Sequence, residues 1–422
     1  MYIIRSVATD SGGEGFDVPE DDDGQAPLVG VTVVSLEQAV AAPYATRQLA
    51  DLGARVIKIE RIDGGDFARG YDRSVHGLSS YFVWLNRGKE SLALDVKHPR
   101  GQRILRELLA TADVFVQNLG PGATARMGLD ASTLSELHPR LIVCDVTGYG
   151  ETGPRRDRKA YDLLVQAEAG LLSVTGNDDQ PARTGVSIAD IAAGMYAYSG
   201  ILTALFVRAT TGRARPVSVS LFEALAEWVS QPAYYAQYSG IRPPRTGARH
   251  ATIAPYGPFV TGDGEAVLLA VQNDREWRRM CREVLGMPGM ADDPRFATNT
   301  DRVANRDQVE SAIGDILATF STGETMRRLD EAGVAYGQMT DAARLFSHPV
   351  LVGRDRVRRI STDRGSIDAL LPPATLGGAE PALGDVPALG AQGPAILQEL
   401  GYDDAAVDDL SRAGVVRTES SV

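Results

Sequence analysis

The sequence predicts an α/β fold in two domains, the larger a mainly parallel sheet covered by helices. From Val31 onward, short β-branched runs alternate with amphipathic segments: VTVVSL, PYATRQLADLGA, RVIKIE, SLALDV, RGQRILRELLATA and VFVQN. That order is what right-handed β-α-β units require. The length of 422 residues favours two cores, because a single core stops growing at roughly 250–300 residues. The texture changes over 237–250, QYSGIRPPRTGARH, where Pro, Gly and Arg mark a linker.

Taken in order, residues 1–27 read as a flexible acidic tail, because 11–27, SGGEGFDVPEDDDGQAP, combine Gly, Pro and an acidic run with few apolar side chains. The interleaved strands and helices of 28–230 follow, with LIVCDVTGYG as a further strand. Residues 190–209 carry Ile191, Met195, Tyr198, Leu202 and Leu205 at helical spacing with small residues between, which predicts a long, closely packed helix. Residues 231–340 form the second domain, where YGPFVTGDGEAVLLAVQ reads as a hairpin and EWRRMCREVL and MRRLDEAG as helices. Over 341–422 strand-like pieces return before the helix PAILQELGY.

The formal net charge of −12 argues against nucleic-acid or anionic-membrane partners, which need clustered Lys and Arg. Cys144 and Cys281 are too few for a disulfide framework. No run approaches the roughly 18–20 consecutive apolar residues of a membrane span, and no secretory signal opens the chain, so a cytoplasmic location is expected.

Several motifs reduce to bland readings. Gly148-Tyr-Gly150-Glu-Thr-Gly153 has dinucleotide-turn spacing, but Pro154 and RRDRK follow where a helix should begin. No Gly-x-Ser-x-Gly occurs. The histidines at 76, 98, 138, 250 and 348 never pair at ligand spacing, so no metal is expected. Arg61, Lys97 and Asn118 each follow or end a strand, with Arg126 shortly after. If the strands are parallel, these four gather at one sheet edge as donors for a phosphate-bearing, adenine-containing ligand; otherwise they are solvated surface residues. Asp190 opens the long helix and reads by pattern as its N-cap. Its setting, GVSIADIAAG, equally describes a partly desolvated carboxylate with room beside it.

Together these stretches resemble the class III CoA-transferase family, which includes formyl-CoA, carnitine and mesaconyl-CoA transferases and alpha-methylacyl-CoA racemase. The resemblance lies in LEQAVAAPYATRQLADLGARVIKIER, GGDFARG, YFVWLNRGKESLALDVKHPRG, ADVFVQNLGPGATARMGL, HPRLIVCDVTGYGETGP, AYDLLVQAEAGLLSVTG and GVSIADIAAGMYAYSGILTAL, in order over residues 29–225, and more weakly beyond. It implies that Asp190 matches the family's nucleophilic aspartate. It also implies that Arg61, Leu94, Lys97, Asn118, Leu119, Gly120, Arg126, Lys159 and Tyr161 match positions that hold coenzyme A, and that Val40 and Ala41 line the thioester site. His250 and Gly257, in HATIAPYGPF, stand where the family covers its intermediate, although the family's long glycine run is missing here. The family's closing turn reads GAQG at 390–393.

The resemblance further implies a Rossmann-like large domain built from both chain ends, a smaller central α+β domain, and an interlocked-ring homodimer. Coenzyme A enters as the acyl-CoA substrate, with a small carboxylic acid as acceptor and no tightly bound cofactor. LEQAVAAP and HATIAPYGPF look most like the members acting on mesaconate and small dicarboxylates. A racemase is the alternative, but that chemistry needs a base opposite the aspartate, and racemases place a His where this chain has Tyr161. A tyrosine hydroxyl with an ordinary pKa of about 10 is a poor base at neutral pH. A non-catalytic CoA-binding protein is the third reading.

Overall fold

The computed structural model describes residues 25–418. Most of the expected acidic tail therefore lies outside the described residues. Six parallel strands form the main sheet: β1 (Thr32–Leu36), β2 (Arg55–Glu60), β3 (Lys89–Ala93), β4 (Val114–Gln117), β5 (Ile142–Thr147) and β6 (Val217–Ser220), in the order β3-β2-β1-β4-β5-β6. β6 falls in a stretch that carries no clear strand pattern, since Arg213 and Arg215 precede it and its face is only part-buried.

The helices of the first half are α1 (Ala41–Asp51), α2 (Ser80–Asn86), α3 (Pro99–Thr111), α4 (Ala123–Arg126), α5 (Ala131–Leu137), α6 (Asp162–Glu168), α7 (Ile188–Thr211) and α8 (Leu221–Ser239). Alternate residues of each strand feed different cores. Val33, Val56, Val114, Val116, Ile142 and Cys144 pack under α1, α7 and α8. Val34, Ile57, Ile59, Phe115 and Val143 pack under α3, α5 and the chain's last two helices. A strand buried on both faces reads as a continuous apolar run, which is why these strands were legible.

Between 254 and 338 lies a three-stranded antiparallel sheet of β7 (Tyr256–Val260), β8 (Ala266–Ala270) and β9 (Ala335–Gln338), covered by α9 (Asp274–Arg279), α10 (Asn299–Ala304), α11 (Arg306–Leu317) and α12 (Thr322–Ala332) around Trp277 and Met280. The expected hairpin is β7–β8. After α13 (Pro349–Gly353), β10 (Val357–Thr362) and β11 (Gly365–Leu370) form a second hairpin, and α14 (Gly393–Glu399) and α15 (Asp404–Arg412) close the chain against β3 and α3.

Three sequence expectations are corrected. The boundary placed at 230/231 falls inside α8, whose apolar spacing continues until Gly240, at φ 70°, ends it. The EWRRMCREVL helix is α9 followed by a π-helical turn over Met280–Val284. Among the described residues, α7 is long and apolar enough to cross a membrane, because scattered Tyr, Ser and Thr hardly lower its average hydropathy. Here Ala192, Ala193, Ala197, Ile201 and Ala204 bury one side of it in the core.

α7 meets α1 at Gly194, where a Cβ would lie 2.6 Å from the Ala41 carbonyl oxygen. Gly194→Ala is expected to push the two helices apart and cost about 1–3 kcal/mol in denaturant unfolding. A loss below about 0.5 kcal/mol would show that the contact yields freely.

Candidate active site

All six sheet strands are parallel, so the loops after β1, β2, β3, β4 and β5 leave the same edge. That edge carries Val40 and Ala41 after β1, Arg61 after β2, Leu94 and Lys97 after β3, and Asn118, Leu119 and Gly120 after β4, with Arg126 in α4. The Arg61 guanidinium lies 4.4 Å from the Phe67 ring centroid, and its Nε donates to the Gly65 carbonyl at 2.9 Å. Lys97, Gly120 and Arg126 are exposed. Leu94 is buried in the core and presents no side chain to the edge, because its position continues the alternation of β3. Asn118 holds the β1–α1 loop: its Oδ1 accepts from the Gln38 amide at 2.8 Å and its Nδ2 donates to the Gln38 carbonyl at 2.9 Å.

Asp190 lies in the first turn of α7. The helix starts at Ile188, two residues earlier than expected, so Asp190 is not its N-cap; Ser187 occupies that position and makes no side-chain cap bond. Asp162, the first residue of α6, does the capping. Its Oδ1 accepts from the amides of Ala189 at 2.8 Å and Asp190 at 3.3 Å, while its Oδ2 accepts from Gln166 Nε2 at 2.6 Å. The Asp190 carboxylate is thereby released from capping and accepts no hydrogen bond among the described residues. Burial, reinforced by the Asp162 charge, pushes its pKa up to about 7.

Tyr161 immediately precedes α6 and is exposed. Tyr71 approaches from the β2–α2 connection, its hydroxyl raised by burial and then by the charges of Asp66 and Asp190. The structure thus gathers Asp190, Asp162, Tyr161 and Tyr71 beside the start of α1. That helix has Val40 as its N-cap, with no side-chain cap bond, and with Pro43 at its third position only the Ala41 and Ala42 amides are left without a capping partner. Lys159 is exposed in the β5–α6 loop. His250 and Gly257 are not brought to this cluster. His250 stacks on Tyr256 with centroids 5.2 Å apart, and Gly257 pairs with Leu269 inside the β7–β8 ladder.

Sequence reasoning missed a fully buried set of charges beneath the β1–α1 loop. Lys58 Nζ donates to Glu37 Oε1 at 3.2 Å and Asp66 Oδ2 at 2.7 Å, and Lys89 Nζ donates to Glu37 Oε1 at 2.6 Å. Glu60 accepts from Arg69 Nη2 at 2.7 Å, from Ser91 Oγ at 2.6 Å and from the Asp66 amide at 3.0 Å. Burial would raise Glu37, but Lys58 and Lys89 hold it below the ordinary carboxylate range. Burial likewise opposes the charge on Lys58, and Glu37 and Asp66 keep it above its usual range. The available signal was Lys58 itself, a charge in the middle of the strand RVIKIE when both faces of the sheet are covered.

Comparison with known proteins fits this arrangement. Residues 28–393 match the profile of CoA-transferase family III. The chain is 34% identical over 406 residues to an acyl-CoA transferase of Fusarium pseudograminearum, covering 93% of this chain and 89% of that one. It is 34% identical over 408 residues to succinyl-CoA:glutarate CoA-transferase of Mus musculus, covering 94% and 92%. A solved CAIB/BAIF family protein from Brucella suis superposes with a TM-score of 0.79 at 33% identity, covering 89% of this chain and all of that one. An enzyme that handles CoA thioesters is the class these matches define. The chain belongs to CoA-transferase family III.

Proposed function

We propose that this enzyme moves CoA from an acyl-CoA thioester to a small dicarboxylic acid through covalent intermediates on Asp190. The observation that carries the reading is a recessed carboxylate with no hydrogen-bond donor of its own, beside the uncapped start of α1. The Asp190 carboxylate attacks the thioester carbonyl, forming an acyl-aspartyl anhydride and expelling CoA thiolate. The thiolate attacks the aspartyl carbonyl, giving an aspartyl-CoA thioester and releasing the donor acid. An incoming carboxylate attacks that thioester, and the returning thiolate takes the new acyl group, restoring Asp190. Each step exchanges one acyl bond for another, so no water or nucleotide is consumed. The first-turn amides of α1 are suited to receive the oxyanions.

The residues at the sheet's carboxyl edge, Arg61 and Lys97 among them, would hold the nucleotide end. A dicarboxylate acceptor is supported by the mouse relative, whose name specifies succinyl-CoA and glutarate. We further propose an interlocked homodimer in the cytoplasm. The exposed Phe206, Trp228 and Tyr234 of α7 and α8 support a second chain lying there. Such a partner would bring its region around 250–257 toward Asp190.

Incubation with succinyl-CoA should leave a CoA adduct on the Asp190 peptide by mass spectrometry. No adduct, with transfer intact in Asp190→Ala, would end the proposal. Only the ionised carboxylate attacks, so kcat/KM should fall about tenfold per pH unit below about 7. Asp162 on α6, with Tyr71 and Tyr161, is the titratable group facing it. A kcat/KM that stays level down to pH 5 would exclude a carboxyl titrating near 7.

A further inference from the structure

The β1–α1 loop is pinned at one residue in an unusual way. Ala39 has φ 63°, a left-handed conformation that a non-glycine residue holds only when its surroundings impose it. Its amide donates to Asp66 Oδ1 at 2.9 Å, and the same oxygen accepts from the Ala68 amide at 2.9 Å. Asp66 Oδ2 is bound by Lys58 at 2.7 Å, and Lys58 in turn holds Glu37, two residues before Ala39. Gln38, between them, is gripped from the other side by Asn118, and its Oε1 accepts from the Phe67 amide at 3.1 Å. The residues that follow, Val40 and Ala41, begin α1, and the Ala41 carbonyl abuts Gly194, one turn along α7 from Asp190.

We propose that Asp66 is a positioning residue for the transfer reaction: by fixing Ala39 in the left-handed region it aims the first-turn amides of α1 at the carbonyl that Asp190 attacks. This rests on the reading of Asp190 as nucleophile. Each carboxylate of the clamp has a cation within reach, Glu37 with Lys58 and Lys89, Asp66 with Lys58, and Glu60 with the part-buried Arg69, so none of the three is left uncompensated in the interior. Its rigidity is what the chemistry needs, because misplacing a catalytic group by about 1 Å can cost on the order of 100-fold in rate.

Removing Asp66 alone would leave Lys58 only Glu37, which Lys89 already shares, so the test uses two charge-balanced double variants of the full chain. Asp66→Asn with Lys58→Met keeps an oxygen for the Ala39 amide. Asp66→Ala with Lys58→Met removes it. With succinyl-CoA and glutarate as probes, the Asn form should retain kcat within about 5-fold of the parent. The Ala form should lose on the order of 100-fold in kcat while its dissociation constant for free CoA changes less than about 3-fold. Thermal melting of both variants checks that each is folded. Equal kcat in the two double variants, or a loss in the Ala form matched by loss of CoA binding, would overturn the proposal. Asp190→Ala is run alongside. If it still transfers CoA, the nucleophile reading falls first; if it is dead and the double variants are equal, only the role of Asp66 falls.

Discussion

Asp190→Asn is expected to lower kcat by at least about 10⁴-fold and at the same time to make the protein more stable at pH 8. The first effect follows from removing the nucleophile while preserving shape and the amide bonds to Asp162. The second follows from linkage. The native carboxyl titrates near 7, against an ordinary value of 3.8, so between those pH values the native chain holds a proton that the unfolded chain has released. Stability therefore falls as pH rises through that window, and above it the charged form carries the whole penalty. Asn carries none. One pH unit corresponds to about 1.4 kcal/mol, and with solvent screening of a part-exposed group the gain should be about 2 kcal/mol at pH 8, shrinking as pH falls through the window and vanishing only below about pH 4. Parallel denaturant melts at the two pH values decide it. A variant that is inactive but no more stable at pH 8 would mean that Asp190 is not held at a cost in the resting site.

Lys58→Met should be the most destabilising single change in the buried charge cluster, at about 3–5 kcal/mol in denaturant unfolding at pH 7.5. Lys58 is the cation on Asp66 and shares Glu37 with Lys89. Methionine fills the volume but leaves Asp66 facing the interior without its counter-ion. The penalty of an uncompensated buried charge exceeds what the pair itself contributes, because assembling the pair already cost desolvation on both sides. The Asp66→Asn, Lys58→Met double variant should regain most of the loss. A single-variant effect under about 1 kcal/mol would show that water reaches the cluster.

What the sequence revealed and what it hid divide along a physical line. Strands buried on both faces and helices with one apolar stripe announce themselves locally, so β1 to β5, α1, α3 and α7 were readable as periodicity. β6 is half exposed and mixes polar with apolar residues, leaving little pattern to read, and β10 and β11, half exposed as well, showed only as strand-like pieces within 341–422. Asp190 was visible as a carboxylate in an apolar run, but its release from capping was not, since that depends on Asp162 lying 28 residues away. The charge cluster joins Glu37, Lys58, Asp66 and Lys89 from four separate segments, and pairing across such distances leaves no mark on any one of them. His250 and Gly257, taken from resemblance, lie apart from Asp190, in the segment of the three-stranded sheet.

The way the chain's end lies along β3 has a consequence for biosynthesis. β3 is an edge of the six-stranded sheet, and its free side is covered by residues near the carboxyl terminus: the Ser91 amide donates to Gln392 Oε1, the Gln392 amide to the Ser91 carbonyl, the Gly390 amide to Ser91 Oγ and the Arg417 amide to the Ala93 carbonyl. On the ribosome β3 is made some 300 residues before its cover. Throughout that interval the nascent sheet exposes a bare strand edge, the geometry on which chains associate wrongly. Newly made enzyme should therefore depend on chaperones until residues 390–417 have been made, and a chain stopped between β3 and residue 390 should aggregate rather than stay soluble.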